Sequence, residues 1–240
     1  YKERMAMNLP GDELLDAYEY AADPVLQERL HARDRADIRA MISYGRGLTN
    51  FGRQMMAHQN RTGHDGANFL LFLGFSERAA RNFRAGMIFH DIGKTHASYD
   101  PKIWTLDDRP APEEKILQKK HARFGAEMFD LSAAAIKDHP HFLVRRAVTL
   151  YHHERIDGGG PEKTNAATLP VFAQVSCIID AYDGDRIQRP HQPVRRTPAE
   201  ALRRLAAIDD PKGKYTGAFD PALIRRYIQF KEQELGITVL

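Results

Sequence analysis

The chain has 240 residues, of which 42% are hydrophobic and 28% charged, so it is long enough to bury a core and polar enough for a globular protein. Its formal net charge of +3 permits an anionic substrate but does not indicate a nucleic acid polymer as partner. No apolar run reaches the roughly 20 residues of a membrane span, and the single cysteine, Cys177, excludes an intrachain disulfide, so we expect a cytoplasmic protein.

The pattern of apolar residues and helix caps predicts an almost entirely helical chain, because strand-type alternation is nearly absent. We therefore expect an all-α fold. Pro24 and Ser76 mark helix starts, and Gly93 marks a helix end. The predicted helices span residues 12–22, 24–58, 61–72, 76–91, 112–129, 141–153, 170–183, 198–208 and 221–234.

Several polar residues of these helices are expected to face solvent. Basic doublets such as Lys119–Lys120 and Arg145–Arg146 are interpreted as solvated helix faces. His139 and His141 flank Pro140 in a predicted turn, so we expect both at the surface. Residues 184–197 are predicted to form an ordered loop.

Histidines and aspartates recur in a regular arrangement along the helices. The pairs His90–Asp91 and His152–His153 lie at predicted helix ends, while His121 and Asp180 lie within helices. Together with His58 they are separated by 27 to 32 residues, about two helices and their loops, so a bundle can bring them to one level of its core. Mixed imidazole and carboxylate ligands suit iron, manganese or zinc.

The segments around these residues resemble the HD-GYP family of the HD phosphohydrolase superfamily. The resemblance covers residues 50–232 and implies a helical HD-domain bundle over 46–240. Residues 1–45 would then be an N-terminal helical extension or the remnant of a regulatory domain, with a homodimer as a further expectation. The motifs are HDIGK at 90–94, PEE at 112–114, KKH at 119–121, GAE at 125–127, HHERIDG at 152–158, IIDAYD at 178–183, RP at 189–190 and FDP at 219–221.

The resemblance also implies a set of metal ligands for two divalent transition metal ions, iron first and manganese next. His58 is preferred as the first ligand because His58-x-x-Arg61 is similar to the family's first-histidine motif, and His64 is kept as the alternative. The implied ligands are His58, His90, Asp91, His121, His152, His153 and Asp180.

The implied activity is hydrolysis of cyclic di-GMP or a related nucleotide. Asp91 would bridge the two ions, and a hydroxide shared by them would attack phosphorus. Lys94 would neutralise a phosphate oxygen and Arg189 would clamp a phosphate or stack on guanine. Asp183, one helical turn after Asp180, would contact the substrate or orient a metal ligand.

Two departures from the family pattern leave alternatives open. Gly160 is followed directly by Pro161, so the tyrosine of the GYP tripeptide is missing. If the chain is an enzyme, we therefore expect its activity to be reduced. The alternative is a non-catalytic module that binds a nucleotide or a partner protein. A phosphohydrolase of the wider superfamily with another nucleotide substrate is a third hypothesis. Gln54 stands where some members carry a glutamate for a third metal, so two metals are expected rather than three.

Overall fold

The computed structural model describes residues 11–20, 22, 24–46, 51–100, 111–132, 136–187 and 194–239. These residues form helices and no β-strand, with a single isolated bridge between Arg155 and Asn165, so the predicted all-α fold is confirmed. None of the described helices combines the length and apolarity needed to cross a membrane. The helices are α1 (Pro24–Arg46), α2 (Phe51–Leu73), α3 (Glu77–Met87), α4 (Pro112–Ser132), α5 (Pro140–Tyr151), α6 (Val171–Arg186), α7 (Pro198–Leu205) and α8 (Pro221–Leu235).

Helix α2 packs against α1, α3, α6 and α8, and α5 packs against α3, α4 and α6. The contact between α2 and α3 is close because Gly66 on α2 has no side chain. A Cβ at this position would lie 2.2 Å from Cε1 of Phe83 on α3. The larger apolar core includes Phe69, Phe172 and Tyr227, all fully buried. The bundle therefore supplies the close-packed helices that a site built from several elements requires.

The sequence places one helix break wrongly. We predict a break between residues 58 and 61, but α2 runs without interruption from Phe51 to Leu73. Helix α1 ends at Arg46, and residues 47–50 lie outside the described residues. Gly63 and Gly66 lie within α2 and do not end it. Their missing side chains leave room for α3 and the residue that follows it. As a result, His58 lies inside a helix rather than at its end.

The predicted helix at 12–22 is also wrong, because the described part of this segment holds only a 3-10 turn, Asp12–Leu15. The buried side chain of Asn82 donates hydrogen bonds to the carbonyl oxygens of Leu15 (2.8 Å) and Tyr18 (2.9 Å). These carbonyls are therefore satisfied by α3 instead of by a continuing helix.

The prediction that the doublet Arg145–Arg146 faces solvent is wrong for its first residue. Arg145 is fully buried, with its guanidinium carbon 3.9 Å from the ring centroid of Phe89. It donates a 2.6 Å hydrogen bond to Asp37 and a second bond to Asp34, both on α1. Helix α1 is thus joined to α5 by a buried charge network. The domain boundary expected at residue 45 stays a prediction.

The prediction that His141 lies at the surface is also wrong. It is fully buried at the start of α5, and its Nδ1 lies 3.0 Å from the hydroxyl of Tyr18. The N-terminal segment covers this end of α5, which the local sequence around Pro140 does not reveal.

Candidate metal centre

The seven predicted ligands come from five parts of the bundle and converge on one site. His58 lies on α2, His121 on α4 and Asp180 on α6. His90 and Asp91 follow α3, and His152 and His153 directly follow α5, so both pairs lie just beyond helix ends, as the sequence predicts. Those ends allow two neighbouring side chains to turn toward the same point, which a continuing helix would not.

One half of the cluster surrounds Oδ2 of Asp91. The Nε2 atoms of His58 and His90 are 3.7 Å and 3.6 Å from this oxygen and 3.2 Å from each other. Oδ1 of Asp180 lies 3.1 Å from Nε2 of His58 and 3.6 Å from Nε2 of His90. Two imidazoles and two carboxylates therefore point their donor atoms at one small volume.

The other half surrounds Oδ1 of Asp91. Nε2 of His121 is 3.0 Å from this oxygen, and Nε2 of His152 is 3.8 Å from it. The two Nε2 atoms are 3.1 Å apart. His153 closes this side, with its Nδ1 3.4 Å from Oδ2 of Asp180. Asp91 and Asp180 thus each present one oxygen to each side of the cluster.

The donor atoms suit a metal ion by their spacing as well as by their type. His121, His152 and His153 form one group whose ligand atoms all lie within 4.8 Å of one another. His58, His90 and Asp91 form a second such group. These residues fit a transition metal, because imidazole nitrogens and carboxylate oxygens are its usual protein ligands.

Hydrogen bonds on the far side of each ring fix the orientation of three histidines. Nδ1 of His90 lies 2.9 Å from the carbonyl oxygen of Met87, and Nδ1 of His152 lies 2.8 Å from that of Thr149. Nδ1 of His121 contacts the carbonyl oxygen of Gln118 in the same way. A carbonyl can only accept, so each Nδ1 carries the proton and each Nε2 keeps its lone pair for a ligand.

His58 is oriented by a carboxylate instead of a carbonyl. Oδ2 of Asp183 lies 2.6 Å from Nδ1 of His58, and Arg61 donates to both oxygens of Asp183 at 2.7 Å and 2.8 Å. Both oxygens of this buried carboxylate are therefore engaged. The geometry favours the orienting role of Asp183 over direct contact with a substrate.

The electrostatics of the centre favour ionised carboxylates and, at His121, His152 and His153, neutral imidazoles. Burial lowers the pKa of His121 and His153, and burial together with the charge of His90 lowers that of His152 to about 3. Burial opposes ionisation of Asp91, but the charges of Lys94 and His90 hold its pKa well below the usual range. Neutral imidazoles beside carboxylates are the protonation states that metal binding needs.

His58 shows how strongly the same carboxylates attract positive charge. Burial disfavours its imidazolium form, yet hydrogen bonds to Asp180 and Asp183 raise its pKa to about 9. A proton therefore binds where a cation would. Metal binding at this position has to displace that proton.

Gly93 allows the turn after α3 to approach α4. A Cβ on Gly93 would lie 1.9 Å from the carbonyl oxygen of His121 and 2.5 Å from the backbone nitrogen of Gly125. This contact sets the distance between Asp91 and His121. Lys94, in the same turn, is buried, and its Nζ lies 2.5 Å from Oδ2 of Asp91.

The chain is similar to known proteins in sequence and in structure. No protein-family model matches the chain. It is 31% identical over 150 residues to the cyclic di-GMP phosphodiesterase PA4108 of Pseudomonas aeruginosa, a match that covers 60% of this chain and 31% of that protein. It is 26% identical over 162 residues to the cyclic di-GMP phosphodiesterase response regulator RpfG of Xanthomonas campestris, covering 67% of this chain and 39% of that protein.

A third relative and a solved structure extend the comparison. The cyclic di-GMP phosphodiesterase of Thermotoga maritima is 22% identical over 177 residues, covering 73% of this chain and 44% of that protein. Bd1817, an HDG"Y"P protein from Bdellovibrio bacteriovorus, superposes with a TM-score of 0.57 and 18% identity over 90% of this chain and 66% of that one. The chain is therefore similar in sequence to cyclic di-GMP phosphodiesterases and similar in fold to an HDG"Y"P protein. The matches span less than half the length of each curated relative.

Three further residues singled out in the sequence lie outside the cluster or outside the described residues. His64 is exposed on α2, whereas His58, the preferred first ligand, lies in the cluster. Arg189, the predicted phosphate clamp, lies outside the described residues. Cys177 is buried, and its sulfur lies 3.0 Å from the carbonyl oxygen of Tyr151.

Glu154 holds the glycine-rich segment that lacks the tyrosine. Its carboxylate accepts hydrogen bonds from the backbone nitrogens of Glu162 (2.9 Å) and Thr164 (2.7 Å). A Cβ on Gly160 would lie 2.4 Å from Oε1 of Glu154, so glycine is required for this close approach. Sequence reasoning did not assign Glu154 or Arg61 a role, although both lie within the quoted family motifs.

Proposed function

We propose that this chain is a metal-dependent phosphodiesterase that hydrolyses cyclic di-GMP at a binuclear site. The observation that carries the proposal is the placement of Asp91, whose two oxygens face two separate histidine groups. A carboxylate in this position offsets the repulsion between two cations held close together. The names of the three curated relatives support the substrate.

Each ligand has a defined part in this proposal. His58, His90 and Asp180 would hold one ion, and His121, His152 and His153 the other, with Asp91 shared between them. When bound, two iron or manganese ions would lower the pKa of water to around 7 and polarise the phosphoryl oxygens.

Lys94 supports the reaction from beside Asp91. Its ammonium offsets part of the charge of Asp91 in the protein alone, and it is close enough to contact a phosphate oxygen as charge develops there. In the hydrolysis, a water oxygen forms a bond to phosphorus, the bond from phosphorus to a sugar oxygen breaks, and that sugar oxygen gains a proton. No side-chain nucleophile is needed.

The competing function is a non-catalytic cyclic-dinucleotide receptor. The specific observation in its favour is the absence of the GYP tyrosine between Gly160 and Pro161. A complete set of convergent ligands favours the enzyme, because ligands serve no purpose in a module that binds without metals.

Turnover of cyclic di-GMP by anaerobically purified, iron- or manganese-loaded protein tests the proposal, with products followed by chromatography. We expect Asp91→Ala to lose at least about a hundredfold in kcat, since both ions lose their shared ligand. Asp138→Ala, an exposed aspartate before α5, is the matched control and should retain activity. Unchanged turnover in Asp91→Ala would exclude the mechanism, and binding without product would favour the receptor.

A further inference from the structure

An open cavity lies between α2, α6 and α8, next to the metal centre. Its volume is about 330 Å³, which is enough for a small molecule. Asp183 and Arg61 form the part of its wall that is nearest to the centre, because Asp183 contacts His58 on its other side. None of the seven candidate metal ligands lines the cavity, so it is distinct from the metal centre.

The carboxylates in the wall of the cavity are already paired with cations of the same wall. Asp183 accepts hydrogen bonds from Arg61 on both oxygens, at 2.7 Å and 2.8 Å. Asp65 accepts one from Lys231 at 2.7 Å and another from a buried tyrosine hydroxyl. Glu234 contacts the ammonium of the same lysine. The negative charges of the wall therefore do not need a cation from solution.

Arg186, in contrast, has no carboxylate partner among the described residues. It is the last residue of α6 and is half-buried in the wall. Its guanidinium donates to the hydroxyl of Tyr182 at 3.2 Å, and its Cζ lies 5.1 Å from the centroid of that ring. Its Nε is buried and has no hydrogen-bond partner in the described part of the chain. A buried donor without a partner costs free energy, so an acceptor in the cavity would stabilise Arg186.

Arg61 brings a second guanidinium group to the same cavity. Asp183 binds its Nε and one Nη2, whereas its Nη1 makes no hydrogen bond within the described residues. Arg186 follows Asp183 by three residues on α6, so the side chains of these two residues are neighbours on one face of the helix. Two guanidinium groups from different helices therefore offer unused N–H donors to one cavity.

A phosphate group with two negative charges fits these donors better than a carboxylate does. It has three terminal oxygens, so it can accept hydrogen bonds from both guanidinium groups at once. The cavity is larger than a phosphate group alone requires. Along the rest of the wall, Asn60, His64 and Asn68 follow one face of α2 at four-residue spacing. These side chains can form hydrogen bonds with a polar group such as a nucleoside.

We propose that this cavity binds a doubly charged phosphate group on Arg61 and Arg186, at a site separate from the metal centre. Two sources carry such a group, a nucleoside monophosphate and inorganic phosphate, and the polar face of α2 favours the first. Cyclic di-GMP is not such a ligand, because its phosphates are diesters with one charge each. The inference goes beyond the proposed function, since the site needs neither a bound metal nor turnover.

Calorimetric titration with guanosine 5′-monophosphate tests the site, with the metal-loaded chain and again after removal of metal by a chelator. We expect binding in both, and we expect Arg186→Gln to weaken it at least about tenfold, the scale of one charge-assisted hydrogen bond. Arg186→Lys keeps the charge without the planar fork and should recover part of the affinity. Arg225→Gln is the matched control, because this exposed arginine of α8 does not line the cavity, and it should leave the affinity unchanged.

Two further titrants identify the group that is recognised. Inorganic phosphate should bind more weakly than the monophosphate, and guanosine, which has no phosphate, should not bind measurably. Equal affinity for phosphate and the monophosphate would support the arginine site and assign free phosphate as its ligand. Guanosine binding as tightly as the monophosphate, unchanged affinity in Arg186→Gln, or binding to the metal-loaded chain alone would overturn the proposal.

Turnover of cyclic di-GMP separates this proposal from the proposed function. Arg186→Gln should keep kcat and KM, because Arg186 contacts none of the candidate metal ligands within the described residues. A parallel loss of turnover and of monophosphate binding would place Arg186 in the substrate site and overturn the separate site. Monophosphate binding that depends on Arg186, without turnover in any protein, would retain the cavity site and reject the phosphodiesterase alone.

Discussion

Asp183 lies 2.6 Å from Nδ1 of His58, on the opposite side of the imidazole from Asp91 and Asp180. This carboxylate turns the Nε2 lone pair toward the metal centre, and Arg61 holds the carboxylate with two hydrogen bonds. Asp183 and Arg61 are therefore placed to orient His58, the proposed metal ligand, rather than to bind a metal themselves.

Removing that support should weaken metal binding without abolishing it. We expect Asp183→Asn to lower the affinity for one of the two ions by ten- to a hundredfold, the usual effect of losing an outer partner of a metal-bound histidine. Metal retention during titration with a chelator measures this. Asp185→Asn, on the same helix but paired with Arg196 and Arg204, is the control. Equal retention by both variants and the unsubstituted chain would show that His58 does not depend on Asp183.

Gly93 should tolerate no side chain. In Gly93→Ala the new Cβ would meet the backbone oxygen of His121 at 1.9 Å, so α4 must move, and we expect a loss of about 3 kcal/mol in the free energy of unfolding. Gly63→Ala is the control, because the nearest atom to its Cβ would be a side-chain methyl carbon of Ile88, at 3.0 Å, the atoms of Arg84 would lie at 3.5 Å or more, and alanine favours the helix. Denaturant unfolding of the two variants should differ clearly, and similar stabilities would contradict the close approach.

The buried ion pairs of Arg145 with Asp34 and Asp37 should contribute more to the free energy of unfolding than the ion pair of the adjacent Arg146. We expect Arg145→Gln to cost about 3–5 kcal/mol, because the buried carboxylates of Asp34 and Asp37 lose the guanidinium that contacts both of them. The adjacent Arg146 forms an exposed pair with Asp130, so Arg146→Gln should cost less than about 1 kcal/mol. Thermal or denaturant unfolding compares the two, and equal losses would place α1 outside the cooperative unit.

His141 should make stability fall in mild acid. Burial, followed by the charges of Arg145, His139 and His31, holds its pKa well below the usual range in the folded protein, whereas the unfolded chain protonates near pH 6.5. Its contribution is therefore complete above about pH 7 and is lost as the pH falls below 6.5, by up to about 1.4 kcal/mol per pH unit. Unfolding of the chain and of His141→Gln between pH 8 and 5 should show the steeper loss in the unsubstituted protein. Parallel curves would contradict this, since the other histidines titrate in both proteins.

The sequence predicts most of the helices and the positions of the candidate ligands along them, because helix caps and periodicity are local signals. Ser76 accepts a hydrogen bond from Ala79 at 3.0 Å, as its position before a helix indicates, and His90 and Asp91 lie beyond a helix end as expected. Periodicity and motif spacing are readable without knowing which helices pack together.

The sequence does not predict contacts between distant residues. Arg145 and Arg146 are equivalent as a basic doublet, yet partners 108 and 111 residues away bury the first and not the second. Lys119 and Lys120 are likewise equivalent in the sequence, yet Lys119 is half-buried and Lys120 is exposed. The burial of His141 depends on Tyr18, which is 123 residues distant.

The most direct measurement is the metal content of protein purified without oxygen, determined per chain by elemental analysis. Two iron or manganese ions per chain are expected, and Asp91→Asn should lose both or retain them only weakly, because each histidine group shares that carboxylate. A chain that binds no ion after loading with either metal, or an Asp91→Asn variant that still holds two ions tightly, would contradict the binuclear centre.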